Sequence, residues 1–385
     1  MRSPARAPSE RTPVRSVGIE EEFVLVDPDT AAAAAVASTV LRIDKAERET
    51  AGAPDDEGGE LTSELHREQL ETGTRPSHTL DELRAEVVDR RADARRIAES
   101  ASVVPVALAT YPLAVEPTVS PGARTRRIVE RFGRTAHEQL MCGCHVHVGV
   151  ASADEGVAVL DRMRPWLAVL AALSVNSPFW NGEDSNYASY RSQVWSRWPS
   201  AGPYSLFGTA ERYTEVERAM LGTGTLLDEG MVYFDARLSR RHPTVEIRVA
   251  DVCRDPDDAV LVAALVRALV DTAADEWRAG IGPDPVPTEV LRLAAWRAGR
   301  SGMTGELVRP GTWEPAPARS VVDDLVAHVG PALSAAGDLD VVTELIDAVT
   351  RRGTGAERQR AVHARTQDLR SVVLDAADAT HLVTT

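Results

Sequence analysis

Four pairs of chemically capable side chains recur at a spacing of two along this chain. They are Glu20 and Glu22 in VGIEEEFVLV (17–26), His145 and His147 in CGCHVHVGV (142–150), and Asp235–Arg237 and Glu246–Arg248 in VYFDARLSRRHPTVEIRVAD (232–251). On an extended backbone, residues two apart point to the same face, with Cβ atoms roughly 7 Å apart. Two carboxylates that close repel unless positive charge lies between them, and a divalent cation can supply it. A guanidinium beside a carboxylate adds a planar fork that matches phosphate oxygens. Acid for metal and guanidinium for phosphate is the combination that phosphoryl transfer requires. Glu64 and Glu71, in the polar stretch ELTSELHREQLETGT (60–74), contribute two more carboxylates. Hard oxygen donors with few histidines suit Mg2+ or Mn2+ better than zinc.

Each pair alone also reads as an ordinary solvated strand face or a cross-strand ion-pair ladder. Their convergence in one site is what singles out the metal reading, and that requires a particular set of elements. Period-two alternation predicts strands over 16–26, 103–110, 142–150, 230–238 and 243–251, with Val245, Ile247 and Val249 on an apolar face opposite Glu246 and Arg248. Amphipathic spacing predicts helices over 79–101 and 122–140, and Ser152 with Glu155 forms a capping-box signature for the next helix, which Pro165 splits. Strands cluster in the first two-thirds and helices from 255 onward. The expected class is therefore α+β, with one sheet whose back lies against helices and whose other face forms a single concavity. Alternation sets Cys142 and Cys144 opposite His145 and His147, so these four cannot converge on a tetrahedral zinc, and the cysteines read as core. Residues 177–203, rich in aromatic and polar side chains, form a long connection of the kind that carries function. Trp180, Tyr187, Tyr190, Trp195 and Trp198 crowd it around Arg191.

Composition narrows the chemistry. Lys45 is the only lysine among 43 basic residues, and it lies in a polar, loop-like stretch. A phosphate loop or Schiff-base enzyme built on lysine is thereby excluded, so arginine and metal must handle any phosphate. A net charge of −15 argues against nucleic acid as partner. No apolar run is long enough to span a membrane. Three scattered cysteines fit a reducing cytoplasm. Residues 1–14 read as a disordered tail and 15–385 as a single catalytic domain.

The segments VGIEEEFVLVDP, GCHVHVGV, LSVNSPFWNGEDSNYASYRSQVWSRWP and TVEIRVAD resemble the glutamate–cysteine ligase type 2 family of bacterial carboxylate–amine ligases, in consistent order over roughly 17–310. That resemblance implies a glutamine synthetase-like fold, a curved antiparallel sheet with helices packed on its convex side, with ATP as co-substrate, Mg2+ or Mn2+, and small-molecule substrates, an amino-acid carboxylate and an amine. It implies metal ligation by Glu20, Glu22, Glu64, Glu71 and Glu246, phosphate stabilisation by the catalytic Arg248 and Arg237, and substrate binding by Arg191, His145 and His147. A homodimer is expected. Two segments depart from the family pattern near regions expected to face substrate. Ala109-Thr110-Tyr111-Pro112 stands where members often have G-T-H-P, and Arg124-Thr125 where they often have Arg-Tyr. The expected activity is amide formation through an acyl phosphate, with glutamate and cysteine or a related amine as substrates. The alternatives are a metal-dependent hydrolase and a non-catalytic nucleotide-binding relative.

Overall fold

A computed structural model of the protein describes residues 14–51 and 59–381. The tail expected over 1–14 therefore lies outside the described residues except for Val14. The strands are β1 (Val17–Val26), β2 (Leu61–Ser63), β3 (Gln69–Gly73), β4 (Val104–Val106), β5 (Gly143–Gly149), the two-residue β6 (Phe179–Trp180) and β7 (Glu183–Asp184), β8 (Ala236–Leu238) and β9 (Thr244–Asp251). Seven of them form one sheet in the order β2-β3-β1-β5-β9-β8, with β4 also paired to β1, and every pairing is antiparallel. β6 and β7 make a separate hairpin, as do Glu306–Val308 and Pro315–Pro317. The architecture is the α+β class that the order of elements implied.

One face of the sheet is apolar because period-two alternation makes it so. Val17, Ile19, Val146, Val148, Val245 and Ile247 are buried there against the helices Leu80–Glu99, Ala153–Met163, Leu167–Ser174 and Pro256–Arg278. The last of these carries the run VLVAALVRALV, apolar nearly all round, as a helix buried on most sides should be. Asp255 caps it and Pro256 opens it, and at that first position the missing N–H costs nothing. Thr79 and Glu82 form a reciprocal capping box on Leu80–Glu99. Ser152 accepts the amide of Glu155, but the Glu155 carboxylate goes instead to Arg15, Arg278 and the amide of Ala151, so only half of the expected box forms. Pro165 does interrupt its helix, as a 3-10 turn over Arg164–Trp166.

Several boundaries differ from expectation. The helix expected over 122–140 breaks at Gly133, whose φ of 53° suits a residue without Cβ, into Ala123–Phe132 and Arg134–His137. The strand expected over 230–238 is regular only at Ala236–Leu238, following a 3-10 turn at Glu229–Met231. β4 is three residues rather than eight. Among the described residues no helix is long and apolar enough to cross a membrane.

Alternation along β1 splits its three carboxylates. Glu20 and Glu22 point to the open face, whereas Glu21 lies on the helix side and is 3% exposed. Arg91, 2% exposed, meets Glu21 with two bonds of 2.6 and 2.9 Å. Its remaining donors go to the carbonyls of Cys253 at 2.7 Å, Arg254 at 3.1 Å and Thr380 at 3.5 Å. A buried pair is costly to half-break, because the partner left behind keeps its charge without compensation. Glu21→Gln is expected to lower unfolding free energy by about 3–5 kcal/mol in denaturant titration. Exchange of both residues for apolar ones of similar volume (Glu21→Leu with Arg91→Met) should recover much of that loss.

Candidate functional site

The register assembles the site across the open face of the sheet. Glu71 on β3 stands opposite Glu22, Glu20 opposite His145, and His147 opposite Glu246, which in turn faces Arg237 on β8. Glu64 enters from the chain just after β2. All ten of Glu20, Glu22, Glu64, Glu71, His145, His147, Arg191, Arg237, Glu246 and Arg248 line one cleft of about 440 Å3. Their donor atoms form three overlapping groups able to hold a cation: Glu22–Glu64–Glu71, Glu20–Glu71–His145 and Glu20–His147–Glu246.

The electrostatics of these acids divide by partner. Burial disfavours charge on Glu20, Glu64, Glu71 and Glu246, and where that cost is joined by neighbouring carboxylates the proton is held. Burial together with Glu20 and Glu22 pushes Glu71 up to about 7, and burial together with Glu71 and Glu22 raises Glu64 well above the ordinary carboxylate range. Glu20 moves the other way, since the neighbouring His145 and His147 rings outweigh its burial. For Glu246 the charges of Arg248 and Arg237 outweigh burial and keep it ionised. Burial and nearby Arg248 lower His145, whereas His147 is raised because Glu20 outweighs its burial.

His145 and His147, expected to bind substrate, line the cleft with their rings beside the acids. His145 Nδ1 and His147 Nε2 each lie 3.4 Å from an oxygen of Glu20, and both ring nitrogens are buried without a hydrogen-bond partner. Nδ1 of His147 is fixed by Thr244 Oγ1 at 3.0 Å. Orphaned imidazole nitrogens among carboxylate oxygens are what a cation site looks like before the cation is considered, so the residues present fit a divalent ion.

The other end of the cleft is cationic. Arg237 grips Glu246 with bonds of 2.7 and 3.1 Å, and Arg248 Nη1 bonds the same carboxylate. Arg248 lies over the rings of Trp195 and Tyr233, 5.6 and 5.9 Å from their centroids, and Arg191 lies 5.8 Å from Trp195. Arg191 is 4% exposed. The nearest carboxylate to it is Asp251, at 3.8 Å, and burial raises the pKa of that acid.

Asp251 reaches this face through an irregularity the sequence hid. Between Cys144 and Val146 the β5–β9 register slips by one residue, so Ala250 opposes Cys144 and Asp251 opposes Gly143. Such a bulge reverses side-chain parity beyond it. There Asp251 accepts the Asn176 amide at 2.8 Å and the Ser177 and Ser189 hydroxyls at 2.7 and 2.8 Å, pinning both ends of the loop that delivers Arg191. Gly143 was also missed: its amide donates to Glu22 at 2.6 Å, and a Cβ there would lie 2.3 Å from the Arg191 guanidinium. A glycine inside a strand is the one sequence signal that could have found it.

Other expectations are corrected. Asp235 is not in the cleft beside Arg237. The chain is not yet extended there, and Asp235 turns behind the site next to Arg164, Tyr204 and Leu291, where burial pushes its carboxyl up to about 7. Of the aromatic loop residues, Trp195 and Trp198 line the cleft, whereas Trp180, Tyr187 and Tyr190 pack on one another and Tyr187 meets Trp296. The departures from the family pattern lie outside the lining: Thr110 donates to Phe179 O at 2.8 Å, the Tyr111 hydroxyl to Ala31 O, and Arg124 pairs with Asp228.

Against this geometry the comparisons with known proteins can be set. The family profile "Glutamate-cysteine ligase family 2" matches residues 16–375. A Streptomyces coelicolor protein named "Putative glutamate--cysteine ligase 2" is 54% identical over 360 residues, 94% of this chain and 97% of its own. A Frankia alni protein named "Putative glutamate--cysteine ligase 2-2" is 53% identical, covering 94% and 95%. Among solved structures, a glutamate–cysteine ligase from Francisella tularensis in complex with AMP superposes with a TM-score of 0.68 at 13% identity, covering 97% of this chain and 90% of that one. A bifunctional glutathione synthetase from Pasteurella multocida gives 0.69 at 16% identity, and the match spans 95% of this chain but 52% of that larger one. The two structures share the fold. Taken with the identity and coverage of the bacterial relatives, the match over nearly the whole chain means that this protein belongs to glutamate–cysteine ligase family 2.

Proposed function

We propose that the protein is an ATP-dependent carboxylate–amine ligase, joining glutamate to cysteine or a related amine through an acyl phosphate. The observation that carries this reading is the juxtaposition, in one cleft, of three carboxylate and imidazole donor groups with Arg191, Arg237 and Arg248. A metal-dependent hydrolase would use the first set and has no need of the second. The relatives' names point the same way.

Glu20, Glu22, Glu64, Glu71 and Glu246 would hold Mg2+ or Mn2+, with His145 and His147 orienting or joining Glu20; when bound, the metal would neutralise charge on the ATP phosphates. A carboxylate oxygen of the acid attacks the γ-phosphorus and the bond to ADP breaks, giving an acyl phosphate. Arg248 and Arg237 donate to the oxygens of the phosphoryl group in transfer, where their hydrogen bonds strengthen as charge shifts. Arg191 grips a carboxylate of the acid substrate. The amine nitrogen then attacks the carbonyl carbon, the C–O bond to phosphate breaks, and the nitrogen loses a proton. Trp195 and Trp198 keep water from the mixed anhydride. The test is incubation with ATP, Mg2+, glutamate and a panel of amines. ADP and amide are expected in equal amounts, and ADP without amide, or amide without ATP, overturns the reading.

Three further outcomes follow from the same residues. Glu71, at about 7 in the metal-free protein against 4.5 when unfolded, binds its proton more tightly in the fold. The metal-free protein should therefore lose stability as pH rises from about 4.5 to about 7, because the unfolded chain releases the proton first. Added Mg2+ should reverse that loss and bind more tightly above pH 7 than below, whereas Glu71→Gln should flatten the pH dependence of melting. Arg248→Lys keeps the charge but loses the planar fork and its two aromatic contacts, and should cost about 10²-fold or more in kcat. Arg191→Ala should raise KM for the acid far more than KM for ATP and increase ADP released per amide, measured in the coupled assay.

A further inference from the structure

The loop that delivers Arg191 begins at Asn176, directly after the helix Leu167–Ser174 and its cap Val175. Asn176 is 1% exposed, and each polar group it carries has a partner. Its backbone N–H donates to Asp251 Oδ2 at 2.8 Å, and its Nδ2 donates to Ala107 O and Val252 O at 2.9 Å each. Both of its oxygens meet the same side-chain donor: Nε2 of Gln359 lies 2.9 Å from Asn176 O and 2.7 Å from Asn176 Oδ1. Gln359, also 1% exposed, belongs to the helix Gly355–Thr366. These partners fix the orientation of both amides, since a flip of either would set oxygen against oxygen. The helix approaches this closely because residue 355 is glycine. A Cβ there would lie 2.2 Å from Asn176 Oδ1, and next to it Ala356 N donates to Val175 O at 3.0 Å.

From Asn176 the contacts run on to the cleft. Asp251 Oδ2 takes the Asn176 N–H together with the Ser177 hydroxyl at 2.7 Å, and that hydroxyl oxygen accepts the backbone N–H of Arg191 at 3.1 Å. Asp251 Oδ1, which holds Ser189, also stands 3.8 Å from Arg191 Nη1. We propose that Gln359 is a positioning residue for the acid substrate: it holds Asn176, Asn176 orients Asp251, and Asp251 sets both the backbone and the guanidinium of Arg191. This inference rests on the reading of Arg191 as the grip on that substrate and adds to it a residue from the C-terminal helices. Gln359 touches no substrate and exchanges no proton. Without its N–H, two buried acceptors are left short of a donor, and any turn of Asn176 to regain one pulls its own N–H off Asp251. A shift of about 1 Å in a group that orients substrate is enough to weaken its action severely. The same helix also holds the loop through Arg360, which pairs with Asp184 at 2.6 and 2.8 Å and donates to Tyr187 O at 2.9 Å. That contact is at the surface, and neither of its partners lines the cleft.

The experiment is steady-state kinetics of the full chain with glutamate, cysteine and ATP varied in turn. Gln359→Met keeps the volume and removes the donor. It should raise KM for glutamate about tenfold, leave KM for ATP and cysteine within about twofold, and increase ADP released per amide formed. Arg360→Ala removes the surface tether of the same helix and should leave all three KM values within about twofold. Asp251→Asn should by itself raise KM for glutamate, and Gln359→Met added to it should raise that KM by less than about threefold more, because both act through one chain of contacts. Melting temperatures are followed throughout. Should Gln359→Met not fold, Gln359→Asn, which keeps an amide one methylene short, is expected to raise KM for glutamate alone. An unmoved KM for glutamate, a parallel rise in all three KM values, an equal rise in Arg360→Ala, or independent effects in the double variant overturns the proposal while leaving the ligase intact. If Arg191→Ala leaves KM for glutamate unmoved, the proposal falls together with the assignment of Arg191. A parent protein that forms no amide with any amine overturns the ligase reading itself, and this proposal with it.

Discussion

Three consecutive carboxylates on one strand cannot be treated alike, and the structure is organised around how β1 disposes of them. Glu21 faces the helices, where no water can screen it, and the fold answers with a complete guanidinium. Arg91 neutralises the charge and uses its spare donors to tie the end of β9 and the C-terminal helix Leu369–Thr380 to the sheet. Glu20 and Glu22 face the cleft, and there the fold withholds a full counter-charge. Glu20 receives two imidazoles and Glu22 a backbone amide from Gly143. The same strand therefore carries a structural ion pair on one face and an unbalanced acidic site on the other.

The imbalance is held in place by rigid packing around it. A cluster of like charges relaxes by swinging its side chains apart unless the backbone forbids it, and here β3, β1 and β5 fix Glu71, Glu22, Glu20 and His145 by register rather than by loop conformation. Beyond Glu22 the same face of β1 turns apolar: Val24 and Val26 pack with Val104, Val106, Leu108, Val373 and Ala376. The cleft thus has a closed, dry end, and the acids cannot retreat along the strand into water. What remains is protonation, and the raised Glu71 and Glu64 show where the strain is absorbed.

Much of this was legible in the sequence because strand parity is a strong rule. Where pairing is regular, as for Glu20 with Glu22 and His145 with His147, counting by two put the side chains on the face where they lie. Two of the misses share one cause, which is backbone that departs from period two. The slip opposite Cys144 brought Asp251 to the site, and residues 232–235 are not a strand, which sent Asp235 behind it. Neither bulge nor turn leaves a residue-type signature there, since Val249 and Ala250 suit both parities. The aromatic loop was legible as a unit but not by residue. Which of its rings reach the cleft depends on the hydrogen bonds of Asp251 to Ser177 and Ser189, partners more than sixty residues away. The single lysine was informative in a different way, by removing phosphate chemistries rather than locating one.

The arginine end shows the same logic with the sign reversed. Glu246 absorbs much of the charge of Arg237 and Arg248, but among the described residues Arg191 has only Asp251 at 3.8 Å, a carboxyl that burial inclines towards its neutral form and that three hydrogen bonds already occupy. Aromatic faces support Arg191 and Arg248 without cancelling their charge. The cleft therefore holds excess negative charge at the carboxylates and excess positive charge at the guanidiniums, separated by the width of a few strands. Neither end can neutralise the other without collapsing the sheet between them. A ligand that complements both must itself be divided, cationic where it meets Glu20, Glu22, Glu64 and Glu71, and anionic where it meets Arg191 and Arg248. A polyphosphate carrying a divalent cation, next to a carboxylic acid, has that distribution, and neither a bare metal ion nor a bare organic anion does.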